Sequence, residues 1–196
     1  SVNIVVKPLK LCRYPRSATI SKTKQKHLHD PPRILNSSFN KFAEKDYDAY
    51  PEKWRHDIDE INSFVYERIN NGVYRCGFST TQDAYNEAFD RLFSALDVIE
   101  SRLSKQDFLV SENPTEADWR LFTTLLRFDP VYVYHFKCNL KRIQDFPNLS
   151  AYLKRLYHYP GIEETVRLDH IKQHYYKSHP DINPTGIIPK GPLLNW

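Results

Sequence analysis

The chain has 196 residues, enough to bury the core of one domain, and 40% of them are hydrophobic, which excludes a disordered chain. Its 28 basic residues are interspersed with 24 acidic ones for a formal net charge of +4. This balance gives no concentrated basic face for nucleic acid. No uninterrupted apolar run reaches the length of a membrane span. Three scattered cysteines, Cys12, Cys76 and Cys138, exclude a disulfide framework and predict a reducing, cytoplasmic location.

The chain divides into an irregular start and a helical remainder. Residues 1–32 hold four prolines and a polar stretch, so we predict an irregular N-terminal leader. The remainder, residues 33–196, shows apolar residues at helical spacing and almost no strand pattern, which predicts an all-α domain. Ile34 to Phe42 suggests a short first helix.

The next helices are delimited by start and stop signals. A helix is predicted from Pro51 to Ile69, because proline suits a first helical position and Asn70-Asn71-Gly72 tolerates the left-handed backbone that ends a helix. A third is predicted from Thr81 to Ser104, with Thr80 as its cap.

The fourth helix has the clearest start. Thr115 and Asp118 form a capping box with aspartate in place of glutamate, and Pro130 is predicted to kink or split this helix. A fifth helix ends at Pro160-Gly161, another spans roughly residues 162–176, and an extended tail follows.

Four sequence blocks, in this order, resemble one known family. They are Asn70-Asn71-Gly72-Val73-Tyr74-Arg75-Cys76-Gly77-Phe78, then Arg127-Phe128-Asp129-Pro130-Val131-Tyr132 with His135-Phe136-Lys137-Cys138-Asn139, then His170 to His179, and Ile182 to Pro189. A broader pattern, Phe108 to Ser111 followed by Thr115 to Asp118, is similar to glutathione transferases in general. The narrower blocks resemble the glutathionyl-hydroquinone reductases, also called xi-class glutathione transferases.

The resemblance implies a glutathione S-transferase C-terminal helical bundle with an irregular leader and an extended tail. It implies glutathione-dependent reduction of glutathionyl-hydroquinones, in which a cysteine of a Cys-Pro-Trp-Ala motif, in a thioredoxin-like domain, takes the glutathionyl group. The sequence holds no such motif, and Cys12 is followed by Arg-Tyr-Pro. The Val-Pro turn and the Glu-Ser pair that bind glutathione in that domain also have no counterpart. We therefore expect that domain to be lost or supplied by another chain, and we assign no catalytic residue.

The resemblance assigns an aromatic substrate such as a quinol to Tyr74 and Tyr175. A phenol offers a ring for stacking and a hydroxyl for a quinol oxygen. The residues alone leave an alternative open for both, since Tyr74 could be a turn residue whose ring packs on the next helix. The family also suggests a homodimer.

Several other conspicuous residues are predicted to be structural. Tyr132 and Tyr134 are expected in the core, Asp129 beside a cation or an amide, and Cys76 and Cys138 as inert packing. His170 and His174 lie four apart on one helical face, but no third ligand accompanies them, so we predict no metal site.

Three functions stay open at this point. The first is the substrate-side domain of a glutathionyl-hydroquinone reductase, inactive as this chain alone because positioning a ring does not replace a sulfur nucleophile. The second is a non-catalytic module that binds a small ligand or a protein. The third is a truncated relic of such an enzyme.

Overall fold

The computed structural model describes Arg33, Asn36 and residues 47–194. The predicted leader and most of the predicted first short helix lie outside these residues. Within the described part, every regular element is helical. The α-helices are α1 (Arg55–Val65), α2 (Asn71–Gly77), α3 (Gln82–Leu103), α4 (Glu116–Arg127), α5 (Val133–His135), α6 (Pro147–Tyr157) and α7 (Leu168–Ser178). Short 3₁₀ turns lie at Glu52–Trp54, Ile143–Asp145 and Glu163–Thr165.

The predicted stop at Asn70-Asn71-Gly72 is wrong. A π-helical turn, Tyr66–Asn70, joins α1 to α2, and Asn70 and Asn71 both keep right-handed helical dihedrals. The Asn70 side chain contacts α4 instead, accepting a hydrogen bond from the Thr124 hydroxyl at 3.0 Å. Gly72 is buried, and a Cβ added to it would lie 3.3 Å from Leu92 Cδ1. The glycine therefore serves the close packing of α2 on α3, and Tyr74 lies on a helix.

The long helix α3 supplies much of the core. Leu92, Leu96 and Ile99 are fully buried on its inner face, as the spacing predicts. Its cap is Thr81, whose hydroxyl accepts from the Ala84 amide at 3.3 Å, and the predicted cap at Thr80 is wrong by one residue. Ala84 continues the four-residue spacing of the buried Ala88 and Leu92, yet it is exposed because it lies in this first turn, before α3 enters the core.

The start of α4 is confirmed as a capping box. Asp118 Oδ2 accepts from the Thr115 amide at 2.7 Å and from the Thr115 hydroxyl at 2.9 Å. Asp118 Oδ1 accepts from the Leu109 amide at 2.8 Å and from the Tyr152 hydroxyl on α6 at 2.9 Å. Burial raises the pKa of Asp118, although these four donors oppose the shift. One carboxylate thus joins α4, the preceding loop and α6.

Pro130 splits the helix as predicted. The chain passes from α4 through a π-helical turn, Phe128–Tyr132, into the short α5. Asp129, buried within that turn, accepts from the Ile143 amide at 2.6 Å and the Gln144 amide at 3.2 Å. Its predicted structural role is confirmed, since it holds the start of the following 3₁₀ turn.

The last helices differ from prediction in one boundary. Helix α6 carries the expected buried leucines and is followed by Gly161 with a positive φ of 83°. Helix α7 starts at Leu168 and not near Ile162, because Glu163–Thr165 forms a separate turn and Val166 is extended. The tail lies against α7: Asn183 Nδ2 donates to the Tyr176 carbonyl at 2.7 Å. No described helix is long and apolar enough to span a membrane.

Candidate functional site

The two tyrosines singled out by the sequence meet in space. Tyr74 lies on α2 and Tyr175 on α7, 101 residues later, and their hydroxyl oxygens are 2.7 Å apart. Tyr175 is buried, with 6% of its surface exposed, whereas Tyr74 is 39% exposed. The pair therefore has one phenol in the core and one at the surface.

A third phenol completes a chain of hydroxyls. Tyr132, in the π-helical turn, lies with its hydroxyl 2.9 Å from that of Tyr175 and is 2% exposed. Its prediction as a core residue is confirmed, but sequence reasoning missed its polar contact. Burial raises the pKa values of both Tyr132 and Tyr175 well above those of free phenols. Both therefore keep their protons at neutral pH.

The burial of Tyr132 fixes the direction of these hydrogen bonds. Among the described residues, its hydroxyl has no partner except Tyr175. If Tyr132 accepted this bond, its own hydrogen would be buried without an acceptor, which costs about 1–3 kcal/mol. Tyr132 therefore donates to Tyr175, and Tyr175 donates to Tyr74. The hydrogen of Tyr74 is left for solvent or a ligand, so this hydroxyl is prepared to donate to a ligand oxygen.

An exposed phenylalanine extends the surface beside Tyr74, and a buried one supports both rings. The rings of Tyr74 and Phe78 are parallel, with an interplanar angle of 4° and centroids 6.5 Å apart. Phe136 lies behind both, with centroid distances of 5.3 Å to Tyr74 and 5.4 Å to Phe78. Phe78 is 50% exposed. We define Tyr74, Phe78, Phe136 and Tyr175 as the aromatic wall, and its exposed rings, Tyr74 and Phe78, can stack on a planar ring.

Gly77 makes this wall possible. A Cβ added at Gly77 would lie 2.2 Å from Phe136 Cδ1, a distance that no real contact tolerates. Only glycine lets Phe136 approach α2 closely enough to reach the ring of Tyr74. Sequence reasoning missed Gly77, Phe78 and Phe136 as site residues, although all three belong to the blocks that carry the family resemblance.

A histidine pair lies at the edge of the wall. His135 Nε2 and His179 Nδ1 are 2.9 Å apart, and the His179 ring is 5.2 Å from Phe78 in an edge contact. Burial, with smaller contributions from His179 and Lys137, lowers the pKa of His135 to about 4. The pair is neutral at pH 7, and it fastens the end of α7 to α5.

The remaining candidates do not join this site. Cys76 and Cys138 are 2% and 0% exposed, and the hydrogen bond that the Cys138 thiol donates to Cys76, together with burial, raises the pKa of Cys138. Both thiols are packed in the core, their inert role stays a prediction, and Cys12 lies outside the described residues. Tyr134, predicted in the core, is 51% exposed, because it lies two residues after the buried Tyr132 and so on nearly the opposite side of the helix.

Potential metal ligands also lie elsewhere. His170 and His174 are both exposed on α7. In the described part, the ligand atoms of His56, Asp57 and Glu60 lie within 4.8 Å of one another, but all three side chains are exposed on the first turns of α1. Exposed acidic groups of this kind are common without an ion, so this group supports no metal site.

The comparison with known families agrees with the sequence resemblance. Residues 82–155 match the family described as glutathione S-transferase, C-terminal domain. The chain is 54% identical over 160 residues to the glutathionyl-hydroquinone reductase PcpF of Sphingobium chlorophenolicum, covering 82% of this chain and 51% of that protein. It is 49% identical to the glutathionyl-hydroquinone reductase YqjG of Escherichia coli, covering 82% of this chain and 49% of that protein.

Solved structures show the same likeness in three dimensions. The glutathione-bound structure of Escherichia coli YqjG superposes with a TM-score of 0.81 at 48% identity, covering 83% of this chain and 53% of that one. The glutathione transferase Xi of Phanerochaete chrysosporium gives a TM-score of 0.79 at 49% identity, covering 82% of this chain and 56% of that one. The chain spans about half the length of the curated relatives it matches. The described helices are a glutathione S-transferase C-terminal domain of the glutathionyl-hydroquinone reductase, or xi-class, type.

Proposed function

We propose that these helices hold the aromatic ring of a glutathionyl-hydroquinone during its glutathione-dependent reduction. The observation that carries the proposal is the hydroxyl chain from Tyr132 through Tyr175 to Tyr74, beside the exposed ring of Phe78. The ring of the substrate stacks on the aromatic wall. Tyr74 donates its free hydrogen to a quinol oxygen and stabilises negative charge that develops there.

The described residues do not fit glutathione in the manner expected of the family. The single Glu-Ser pair of the sequence, Glu100-Ser101, lies within α3, and Glu100 accepts from the Asn148 and Leu149 amides at 2.9 and 2.7 Å. That carboxylate fastens α6 to α3 and is not available to a peptide ligand. The thiol chemistry would come from a cysteine outside the described part, so we derive no step through glutathione here.

We therefore propose that this chain alone binds quinols but does not catalyse the reduction of glutathionyl-hydroquinones. The test is an assay of the purified chain with glutathionyl-menadiol and glutathione. The expected rate equals that of the protein-free control. Turnover that Cys12→Ser abolishes would overturn this proposal and identify Cys12 as the nucleophile.

The second candidate function is a module that binds a ligand or another protein and takes no part in catalysis. The partly exposed rings of Tyr74 and Phe78 favour it, because exposed apolar rings offer a contact surface. Titration of the chain with 1-naphthol, followed by NMR, tests the ligand. Shifts centred on Tyr74, Phe78 and Tyr175 support the quinol site. Shifts scattered over the surface would exclude the quinol site and leave two functions open, a protein-binding module or a truncated relic of the enzyme. A homodimer and a cytoplasmic location stay predictions of the family resemblance and of the cysteine usage.

A further inference from the structure

A cavity of about 370 Å³ adjoins the aromatic wall on the far side of Phe78. It lies between α2 and α3, and the small residues Gly72, Ala84 and Ala88 are among those that line it. Its volume falls within the range of small-molecule sites. Tyr74 and Tyr175 do not line it, and Phe78 is the residue that it shares with the aromatic wall.

The lining of the cavity carries an excess of positive charge. Three arginines and two glutamates face it. Arg91 and Glu87 neutralise each other through a contact of 2.7 Å. Arg68 and Arg75 make no side-chain hydrogen bond or ion pair with any described residue, although Glu67 also lines the cavity. Both guanidiniums are therefore available to an anion, with one surplus positive charge after Glu67 is counted.

The two free arginines are placed to act together. They are seven residues apart, Arg68 in the π-helical turn and Arg75 on α2, so they lie two helical turns apart on one side of a nearly continuous helix. Arg75 directly follows Tyr74 in the chain. A ligand whose ring lies on Tyr74 and Phe78 would thus extend a substituent past Phe78 toward these guanidiniums, whose fork geometry matches a carboxylate.

We propose that this cavity binds a carboxylate carried by the aromatic ligand of the wall. The proposal rests on the proposed function, which supplies the ring. The carboxylate has two possible sources, since it can be a substituent of the ring or belong to a glutathionyl group attached to it. Both sources present the same chemistry to Arg68 and Arg75, and the experiment separates them.

The experiment compares three probes by NMR titration of the labelled 196-residue chain. 1-Hydroxy-2-naphthoate and 1-naphthol differ by one carboxylate, and glutathione carries carboxylates without a ring. The naphthoate should bind about five-fold more tightly than naphthol, the effect of a surface ion pair of about 1 kcal/mol. It should also shift the amides of Arg75 and Ala84. A ring carboxylate is the source if glutathione leaves these amides unmoved, and a glutathionyl group is the source if glutathione moves them.

A double variant, Arg68→Gln with Arg75→Gln, should remove the five-fold difference and leave naphthol affinity unchanged. Both side chains are exposed, so the fold should persist. Lys105→Gln with Lys154→Gln, at two exposed positions that do not line the cavity, is the control matched in charge. A fall in naphthoate affinity in this control as large as in the double variant would overturn the inference as a general charge effect.

The remaining outcomes separate this inference from the function on which it rests. Equal affinities for naphthoate and naphthol, with shifts at Tyr74 and Tyr175, would overturn the carboxylate site and leave the quinol site standing. Shifts at Arg75 with none at Tyr74 or Tyr175 would overturn the quinol site, and with it the cavity as part of that site. No binding of any probe would overturn both.

Discussion

The hydroxyl of Tyr132 lies 2.9 Å from that of Tyr175 in the core, and Tyr175 reaches Tyr74 at 2.7 Å at the surface. Three elements that are distant in sequence, namely the π-helical turn at Pro130, α7 and α2, meet through these phenols. In this series of hydroxyls, the buried Tyr132 can only donate its hydrogen bond, so Tyr175 must donate to Tyr74. The packing of the core thereby leaves the hydrogen of the exposed Tyr74 hydroxyl free to donate to a ligand.

Tyr74→Phe should weaken binding of 1-naphthol by about five-fold, the worth of one hydrogen bond near 1 kcal/mol. The ring keeps its tilted contact with Phe136, but the buried Tyr175 hydroxyl loses its acceptor, so the free energy of unfolding should also fall by about 1–3 kcal/mol. Isothermal titration measures the affinity. Tyr66→Phe, at another exposed tyrosine, is the control and should bind as the parent chain does. Unchanged affinity in Tyr74→Phe would show that this hydroxyl does not contact the ligand.

The direction of the hydroxyl chain predicts unequal costs for two similar substitutions. Tyr175→Phe strands the buried hydrogen of Tyr132 and should lower the free energy of unfolding by about 1–3 kcal/mol. Tyr132→Phe removes the donor and leaves Tyr175 with Tyr74, so its cost should be smaller. The double variant strands nothing and should be more stable than Tyr175→Phe alone. Urea unfolding of the three variants measures the order, and a double variant less stable than both single variants would contradict the direction we assign.

Gly77→Ala should be strongly destabilising. Its new Cβ would lie 2.2 Å from Phe136 Cδ1 and 2.9 Å from Phe136 Cβ, so the phenylalanine must move away from α2. Overpacking of this kind costs about 1–3 kcal/mol. Urea unfolding gives the midpoint, and the near-ultraviolet circular dichroism of the aromatic wall should change with it.

Gly72→Ala on the same helix is the matched control. Its Cβ would lie 3.3 Å from Leu92 Cδ1, a contact that a small side-chain shift relieves. The alanine also favours the helix by up to about 1 kcal/mol. Gly72→Ala should therefore be clearly more stable than Gly77→Ala, and equal midpoints would remove the close approach of Phe136 as the reason for Gly77.

The sequence predicted those features that depend on neighbours in the chain. The capping box at Thr115, the break at Pro130 and the buried face of α3 follow from local chemistry, and the structure confirms them. The predicted stop at Asn70-Asn71-Gly72 fails because its residues contact α3 and α4, and these contacts outweigh the turn preference of Asn and Gly. A local pattern does not contain such contacts.

The candidate site shows the same division. Tyr74 and Tyr175 could be named from the family blocks, yet the link through Tyr132 and the ring contact with Phe136 required the packing of α2, α5 and α7. Tyr134 was predicted in the core together with Tyr132, but residues two apart on a helix point to nearly opposite sides. Tyr132 is buried, and Tyr134 therefore meets solvent.

The histidine pair predicts a pH dependence of stability. The pKa of His135 falls from 6.5 to about 4 on folding, mainly through burial and then through His179 and Lys137. Between about pH 4 and pH 6.5, His135 is therefore protonated in the unfolded chain and neutral in the folded chain. The stability tied to neutral His135 is present above pH 6.5 and is lost as the pH falls toward about 4. His179, whose pKa is also lowered by burial and by His174, acts in the same direction.

His135→Gln removes this titration while keeping a side chain that can hydrogen-bond His179. Relative to the parent chain, the variant should lose less unfolding free energy between pH 7.5 and pH 5.5, a window chosen to lie above the titration of most carboxylates. Urea unfolding at several pH values measures the two slopes. His56→Gln is the control, because the His56 side chain is 90% exposed and belongs to no such pair. If His135→Gln and His56→Gln gave the same slope as the parent chain, the fastening of α7 to α5 would not depend on the charge of His135.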